Sequence, residues 1–230
     1  MQRAMSNILV DFIRLKFQNN RFFRFIFDPI NKLLRRRFQK QASISFKEYG
    51  QCTFITIAQV LSENKISFWP EFGTLLGIYR DNGFIPHDCD FDFGAFIEDR
   101  NQIVQSLINS GFQLIHSYHC LELDYVREDT FMYNNIGIDF FYFHHDDEKD
   151  SCYSFVLNDI KKNKKIYSIK VFSFNRIVLK EVDFLGVTIT IPKDTADHLI
   201  VSYGPGFMVP DPNFKSINHS ILNGYWAILE

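Results

Sequence analysis

Three segments of the chain place apolar residues at the three- and four-residue spacing of a helix that buries one face. These segments are residues 46–65, 98–110 and 195–201. In the first, the spaced apolar residues are Tyr49, Phe54, Ile57, Ala58 and Leu61. In the second, the residues expected to point inward are Ile103, Val104, Leu107 and Ile108. Gly111 follows the second helix as its stop signal, and Asp194 is placed to cap the third.

Between these helices, short apolar runs bounded by polar residues predict strands. The predicted strands are residues 66–69, 88–93, 112–116, 121–127, 131–133, 136–143, 167–174, 177–182 and 187–191. Residues 144–150 are expected to form a solvated turn, because consecutive charges cannot converge from one face of a strand. The basic run 161–165 is expected at an exposed hairpin end, and Gly186 at a turn. Helices and strands together predict an α/β or α+β fold, a mixed sheet flanked by helices.

Residues 1–40 show a different pattern, in which basic side chains interrupt apolar ones as in one or two amphipathic helices. A polar stretch, residues 41–45, separates them from the helix predicted over 46–65. The predicted organisation is a helical extension over 1–45 followed by one folded domain over 46–230. A chain of 230 residues with 46% hydrophobic residues is long and apolar enough for one domain with its own core.

The N-terminal extension also differs from the rest of the chain in charge. Residues 1–40 hold ten Lys or Arg and two Asp, a net charge of +8, so the remaining residues carry −10. No apolar run reaches the roughly 18 residues that span a bilayer, and no secretory signal pattern is present. Two interpretations stay open: a helix that docks on the protein's own domain, or a helix that lies on an anionic membrane surface. Nothing else in the chain supports nucleic-acid binding.

The four cysteines are scattered, and none forms a C-x-x-C pair; they are Cys52, Cys89, Cys120 and Cys152. This spacing argues against a zinc ribbon and against a disulfide framework. Free thiols in a reducing compartment explain them most simply, which favours a cytoplasmic protein. Together with the basic extension, this predicts a cytoplasmic protein that is peripheral on the membrane.

Three acids alternate with apolar residues in the middle of the chain. Asp88, Asp90 and Asp92 stand two positions apart, so in an extended strand they share one face while Phe91 and Phe93 point to the other. Like charges on one face repel each other, and a divalent cation would relieve that repulsion. A solvated acidic loop is the alternative. An EF-hand is excluded, because no Gly or downstream Glu stands at the spacing of that calcium loop.

A fourth acid, Asp139, sits inside the apolar run 136–143. A carboxylate there costs free energy unless it is paired or bound to a metal. It is therefore either a salt-bridged or capped acid or a third carboxylate of an active site. Upstream of the alternating acids, Gly73 and Thr74 open a helix whose backbone N–H groups and hydroxyl could hold a phosphate.

Two ordered motifs resemble the LicD/fukutin-related family of the nucleotidyltransferase-fold superfamily. The first, G-T-L-L-G-x-x-R-x-x-G-F-I-P-H-D-x-D-F-D, begins at Gly73. The second, F-L-G-V-x-I-x-I-P-x-D-x-x-x-x-L-x-x-x-Y-G, begins at Phe184. The resemblance covers about residues 46–214 and leaves out the basic extension. Many relatives have Trp where His87 stands, and often an acid where Cys89 stands, so the fit around the substrate stays open.

The resemblance implies a transferase that moves a phosphate-linked group from a CDP-linked donor, such as CDP-choline or CDP-ribitol, to a glycan or lipid-linked glycan. It implies that Asp90 and Asp92 hold Mg²⁺ or Mn²⁺ against the diphosphate. Asp139 would complete the metal site or take the proton of the acceptor hydroxyl. The resemblance also implies which residues bind the substrates. The donor phosphates would be contacted by Gly73, Thr74 and Arg80. The acceptor, or the residues that hold the metal, would be contacted by His87 and Asp88.

Two other functions fit the same residues. One is a nucleotidyltransferase that moves the nucleoside monophosphate itself onto a sugar, a small molecule or a protein. The other is a non-catalytic partner in a glycan-assembly complex. Retention of Asp90, Asp92 and Asp139 argues against the non-catalytic partner, because a protein without the chemistry has no need to keep three repelling carboxylates together.

Overall fold

The computed structural model of the protein describes residues 21–161, 164–211, 214, 220–222 and 227–229. Within these ranges, the side chains of residues 21–39, 157–161, 164–167 and 227–229 lie outside the description.

Four α-helices and eleven strands are present in the described residues. The helices are α1 (Arg21–Glu63), α2 (Phe72–Asp81), α3 (Arg100–Asn109, after a 3-10 turn over Ile97–Asp99) and α4 (Thr195–Tyr203). The strands are β1 (Phe68–Pro70), β2 (Asp90–Phe96), β3 (Gln113–Cys120), β4 (Arg127–Tyr133), β5 (Ile136–His145), β6 (Lys149–Lys161), β7 (Lys164–Asn175), β8 (Leu179–Phe184), β9 (Val187–Pro192), β10 (Ser220–Leu222) and β11 (Ala227–Leu229). This mixture of elements confirms the predicted α/β class.

Strand β5 is the centre of a nine-stranded mixed sheet. It pairs in parallel with β2 and antiparallel with β4, and its last two residues pair with β6. The strand order along the main path is β10-β7-β6-β5-β4-β3-β11, and β1 extends the sheet beyond β2. Strands β8 and β9 form a separate hairpin. The parallel pairing of β2 with β5 brings two distant parts of the sequence side by side.

One face of the sheet is filled by phenylalanine rings. Phe91 and Phe93 of β2 are fully buried, and they contact Phe54 of α1 at ring-centroid distances of 5.6 and 5.7 Å. Phe93 also stacks on Phe140 of β5 at 5.4 Å. Aromatic rings bury large areas per residue, so this cluster fixes how helix α1 lies against the strands.

The predicted polar break at residues 41–45 is wrong, because α1 continues through it without interruption. Ala42 and Ser45 are buried, with 0% and 3% of their surfaces exposed. The stretch holds no Gly or Pro, and its small side chains allow the helix to approach the domain closely. Residues 1–20 and the side chains of 21–39 lie outside the description, which leaves both interpretations of the basic extension open. In the described residues, no helix is both long and apolar enough to cross a bilayer.

Several strand predictions are also corrected. The predicted strand over 121–127 is a turn, and β3 pairs instead with β4. Strand β6 was not predicted, because its polar and apolar residues alternate irregularly through a β-bulge. The turn predicted over 144–150 is shorter, since Asp150 lies in β6 and is fully buried against Arg176 at 2.8 Å.

Two details of the helices also differ from the predictions. Ile108 of α3 is 44% exposed rather than inward, and the Asp194 side chain makes no capping hydrogen bond to α4. Gly111 and Gly186 adopt φ angles of +90° and +79°, which confirms the turns predicted there.

Candidate active site

Two of the motif's acids stand on strand β2. Asp90 is exposed and Asp92 is half-buried, two positions apart on one face of the strand. The intervening Phe91 and the following Phe93 are buried on the other face, which confirms the predicted alternation. The prediction that Asp88 shares the strand is wrong, because β2 begins at Asp90 and Asp88 lies in the loop before it.

Asp139 lies beside this acid pair. In the parallel pairing of β2 with β5, Asp139 is the residue opposite Asp92, and opposite residues on paired strands are about 5 Å apart. The Thr130 hydroxyl, from β4 on the other side of β5, donates a 2.5 Å hydrogen bond to Asp139 Oδ1. Residues 47 positions apart in sequence are thus brought into register by the sheet.

The carboxylates destabilise one another's charged forms. Burial, reinforced by Asp90, Asp139 and Asp88, raises the pKa of Asp92 well above its ordinary value. Burial and the charge of Asp90 raise the pKa of Asp139 to about 7, although the hydrogen bond from Thr130 opposes the rise. Burial and Asp90 also raise the pKa of Asp88 to about 6. The site therefore gathers more negative charge than burial and repulsion between the carboxylates favour.

The donor set fits a hard divalent cation. Among the described residues, no three His, Cys, Asp or Glu side chains enclose a metal ion as they stand. Even so, Asp90, Asp92 and Asp139 share one face of adjacent strands, and rotation of their side chains about χ1 can direct carboxylate oxygens to a common point. Oxygen ligands and excess negative charge are the chemistry that Mg²⁺ prefers.

Gly73 lies directly against the acids. A methyl group placed on its Cα would lie 3.2 Å from Asp88 Oδ2, 3.7 Å from Asp92 Oδ2 and 4.0 Å from the hydroxyl of Tyr203. The absence of a side chain at Gly73 thus lets these three groups converge on the start of α2, and we call this meeting point the cleft. The next residue, Thr74, is buried, and its hydroxyl accepts a 2.9 Å hydrogen bond from the backbone N–H of Asp92.

Arg80 and His87 occupy the approach to this cleft. Arg80 forms a fork to Asp81 with hydrogen bonds of 2.8 to 3.1 Å, and its Nη1 donates to the Phe207 carbonyl at 3.5 Å. Its positive charge lowers the pKa of Asp88, and so does that of His87. His87 is exposed in the loop that leads to the acids. Contact of Gly73, Thr74, Arg80 and His87 with a substrate stays a prediction.

Glu71, which the sequence analysis did not single out, joins three elements beneath the site. Its buried carboxylate accepts hydrogen bonds from Trp69 Nε1 at 2.7 Å and Phe72 N at 3.2 Å, and it pairs with His198 Nε2 of α4 at 2.8 Å. Its backbone N–H donates to the Asp92 carbonyl at 2.9 Å. An acid in the apolar run F-W-P-E, directly before Gly73, is the sequence signal that could have found it.

Two glycines, one inside the first motif and one just after it, allow close packing around the site. A methyl group on Gly77 would lie 2.7 Å from the Gly83 carbonyl oxygen, so only glycine lets α2 approach the loop before the acids. A methyl group on Gly94 would lie 2.4 Å from the Trp69 indole, which donates to Glu71. Both glycines serve close packing around the site.

Two further residues face the acids from other elements. Glu128 of β4 is buried, its pKa is raised well above its ordinary value by burial and by Asp139, and its carboxylate accepts the Phe155 N–H at 2.9 Å. Tyr203 ends α4, and burial together with Asp92 raises its pKa, so its hydroxyl keeps its proton. The second motif includes Tyr203 in its final Tyr-Gly pair, but the motif alone did not predict that this tyrosine lies beside the acids.

Comparison with known proteins agrees with the motifs. The family model described as LicD/FKTN/FKRP, nucleotidyltransferase domain, matches residues 65–194, which include β2 and β5. Ribitol-5-phosphate transferase FKTN of Mus musculus is 28% identical over 181 residues, covering 75% of this chain and 37% of that protein. The Homo sapiens protein of the same name is 25% identical over 196 residues, covering 82% of this chain and 40% of that protein.

The chain therefore spans about two-fifths of the length of these transferases. Among solved structures, the lincosamide antibiotic adenylyltransferase LnuA bound to lincomycin aligns with a TM-score of 0.41 and 12% identity, covering 65% of this chain and 83% of that chain. The match of the family model to more than half of the residues identifies the family. The chain belongs to the LicD/FKTN/FKRP family and contains its nucleotidyltransferase domain.

Proposed function

We propose that the protein is a metal-dependent transferase that moves a phosphate-linked group from a CDP-linked donor to a glycan. The group is a phospho-alditol such as ribitol phosphate, or phosphocholine. The observation that carries the proposal is the register of Asp92 with Asp139, which places two carboxylates of raised pKa side by side on neighbouring strands. The names of the two FKTN relatives support ribitol phosphate over phosphocholine.

Asp90, Asp92 and Asp139 would hold Mg²⁺ or Mn²⁺, which when bound supplies positive charge to the donor diphosphate and to the departing phosphate. The same three residues cannot bind the diphosphate by themselves, because two sets of negative charges would meet in a half-buried site. Metal dependence is therefore part of the proposed function.

The chain's own groups then orient the donor. Gly73 adds no side chain between the acids and the N-terminus of α2, whose positive dipole end would attract a phosphate there. Arg80 is near enough to lower the pKa of Asp88, so its guanidinium can also attract a phosphate. Together these groups hold the donor so that the phosphorus next to the alditol faces the acceptor.

In the proposed reaction, the acceptor hydroxyl oxygen forms a bond to the phosphorus that carries the alditol, and the bond from that phosphorus to the CMP oxygen breaks. CMP leaves, and the glycan gains the phospho-alditol. The hydroxyl proton passes to a carboxylate of the site that does not hold the metal, or to water.

The test is a screen of CDP-ribitol, CDP-glycerol and CDP-choline for release of CMP in Mg²⁺, with wild type compared to Asp139→Asn. We expect one donor to release CMP with wild type and at least about 100-fold more slowly with the variant. Release of CMP from none of the three, with acceptor glycans present, would contradict the proposal.

Isotope labelling separates this reaction from nucleotidyl transfer. With ¹⁸O-labelled water in place of the glycan, attack at the alditol-side phosphorus puts ¹⁸O on the alditol phosphate and leaves CMP unlabelled. Attack at the cytidine-side phosphorus puts ¹⁸O on CMP instead. Labelled CMP in the mass spectrum would replace the proposed reaction with the transfer of a nucleoside monophosphate.

We also propose that residues 1–40 hold the enzyme on the cytoplasmic face of a membrane, where lipid-linked glycan acceptors are found. The support is the +8 charge of this segment together with its many Phe, Ile and Leu residues. Sedimentation with anionic vesicles tests it, using the full chain and a variant with Arg35, Arg36 and Arg37 changed to Gln. We expect binding that weakens with salt and falls in the variant. Equal binding of both would contradict a role for these three charges.

A further inference from the structure

The hydroxyl of Tyr203 is directed into the same cleft as the acids. It lies 4.0 Å from the point that a methyl group on Gly73 would occupy, and that point is 3.2 Å from Asp88 Oδ2 and 3.7 Å from Asp92 Oδ2. Tyr203 comes from α4, whereas the acids come from β2 and the loop before it. The cleft thus has a wall built by a part of the chain that lies beyond the residues matched by the family model.

The ring of Tyr203 is held in place, while its hydroxyl is left without a partner. The ring packs on Phe214 at a centroid distance of 5.2 Å. In the part of the chain that the structure describes, the hydroxyl makes no hydrogen bond. The hydroxyl is not one of the buried polar atoms without a partner among the described residues, so it remains accessible to water or to a bound ligand.

The loop after Tyr203 is fixed from the opposite side of the cleft. Gly204 ends α4 with a φ angle of +77°, and its N–H donates to the Ile200 carbonyl at 2.8 Å. Arg80 of α2 donates to the Phe207 carbonyl at 3.5 Å. Within α4, His198 pairs with Glu71, the residue that caps α2. Helix α4 and the loop after it are therefore both tied to α2, and the hydroxyl position is set by the elements that carry the motif.

We infer that Tyr203 is a ligand-binding residue whose hydroxyl donates a hydrogen bond to a phosphate oxygen of the nucleotide donor. The inference rests on the proposed function for the presence of a diphosphate in the cleft. A phenol O–H is a donor to anionic oxygens. Asp92 is proposed to face the metal, which leaves Asp88 and the phosphate oxygens bound to that metal as acceptors for the hydroxyl, and of these only the phosphate arrives with the donor.

Binding of nucleotides to Tyr203→Phe tests the inference. This change removes the hydroxyl and keeps the ring that packs on Phe214. Calorimetry in Mg²⁺ would compare wild type and variant with CDP, ADP, GDP and UDP, and with cytidine as a probe that lacks phosphate. We expect the variant to bind CDP about 10- to 100-fold more weakly, the loss that follows removal of a hydrogen bond to a charged oxygen. Binding of cytidine should be unchanged.

Tyr142→Phe is the matched control. The Tyr142 hydroxyl is buried on the opposite face of the sheet and donates to Asp129 at 2.9 Å. Its removal should lower the melting temperature and leave CDP binding unchanged. If Tyr203→Phe lowers the melting temperature, comparison with Tyr142→Phe separates lost stability from lost binding. A Tyr203→Phe protein that does not fold would be replaced by Tyr203→Leu, which also removes the hydroxyl donor and should show the same loss.

The outcomes separate the inference from the proposed function. If wild type and Tyr203→Phe bind CDP with equal affinity while Asp92→Asn no longer binds it, the inference is overturned and the proposed function stands. If another nucleoside diphosphate binds instead of CDP, and Tyr203→Phe binds that diphosphate more weakly, the inference holds and the proposed CDP donor is wrong. If Tyr203→Phe reduces the affinity for cytidine and for CDP by the same factor, the hydroxyl does not contact a phosphate and the inference is overturned. If wild type binds no diphosphate, both are overturned.

Discussion

Asp92 and Asp139 stand opposite each other on the neighbouring parallel strands β2 and β5. The Thr130 hydroxyl holds Asp139 from the third strand, and the Thr74 hydroxyl holds the backbone of Asp92 from α2. Each acid is thus positioned by a hydroxyl on a different element. Burial and the neighbouring carboxylates raise the pKa of both, so the fold maintains an arrangement that is electrostatically unfavourable without a ligand.

Replacement of Asp139 by Asn should separate stability from activity. The variant keeps an oxygen that can accept the Thr130 hydrogen bond and removes a charge that burial disfavours. Without metal at pH 8, we expect its free energy of unfolding to rise by about 1–2 kcal/mol after allowance for solvent screening. Transfer activity should fall at least about 100-fold. Chemical denaturation and CMP release measure the two effects, and a destabilised variant would contradict the electrostatic argument.

The metal-free protein should lose stability as pH rises. Asp88 and Asp139 have folded-state pKa values of about 6 and about 7, above the ordinary value of 3.8 expected in the unfolded chain. Between these values the folded state binds more protons than the unfolded state, so the free energy of unfolding falls with increasing pH. We expect the loss between about pH 4 and pH 7 to shrink when both residues are changed to Asn. The same pH slope in wild type and the double variant would contradict the assignment.

Two glycines of the same helix should respond in opposite ways to substitution by Ala. Alanine favours a helix over glycine by up to about 1 kcal/mol. At Gly73 the added methyl group meets the end of the Asp88 side chain at 3.2 Å, which a small movement of that side chain relieves, so we expect a folded protein of nearly unchanged stability with weakened CDP binding. At Gly77 it meets a backbone oxygen at 2.7 Å, and we expect a net loss of about 1–3 kcal/mol. Thermal unfolding and calorimetry of both variants measure the contrast, and unchanged CDP binding by Gly73→Ala would contradict a donor site there.

Glu71→Gln tests the buried network beneath the site. The substitution replaces one carboxylate oxygen, which accepts hydrogen bonds, by an NH₂ group, which donates them. That NH₂ group would then face Trp69 Nε1 or Phe72 N, which are donors themselves. We expect the free energy of unfolding to fall by about 1–3 kcal/mol. Glu181→Gln is the matched control on an exposed position of β8 and should change stability by less than about 0.5 kcal/mol. Equal effects of the two substitutions in urea denaturation would show that Glu71 is not essential to the network.

Local patterns in the sequence predict the parts of the site that lie close together in the chain. The alternation of acids and Phe on β2 and the helix start at Gly73 are of this kind, since both follow from residue spacing. The single acid in the apolar run 136–143 is a similar local signal, and it led to Asp139. Its position opposite Asp92, however, depends on the parallel pairing of two strands, which spacing within either strand does not encode.

Contacts between distant elements could not be predicted in the same way. The pairing of Glu71 with His198 joins residues 127 positions apart, and the approach of Tyr203 to Gly73 depends on how α4 packs. At residues 41–45 a local pattern led to a wrong prediction. There the polar composition suggested a break, whereas burial of Ala42 and Ser45 against the domain favours an uninterrupted helix.

The location of a bound metal tests the central claim most directly. Crystals of the protein grown with Mn²⁺ and CDP would be measured for anomalous scattering at the manganese edge. We predict an anomalous peak between β2 and β5, with carboxylate oxygens of Asp92 and Asp139 about 2.1 to 2.2 Å away and a CDP phosphate oxygen among the remaining ligands. The peak should disappear in Asp92→Asn crystals. A manganese ion bound elsewhere, with CDP in the cleft and no metal at these acids, would contradict the account.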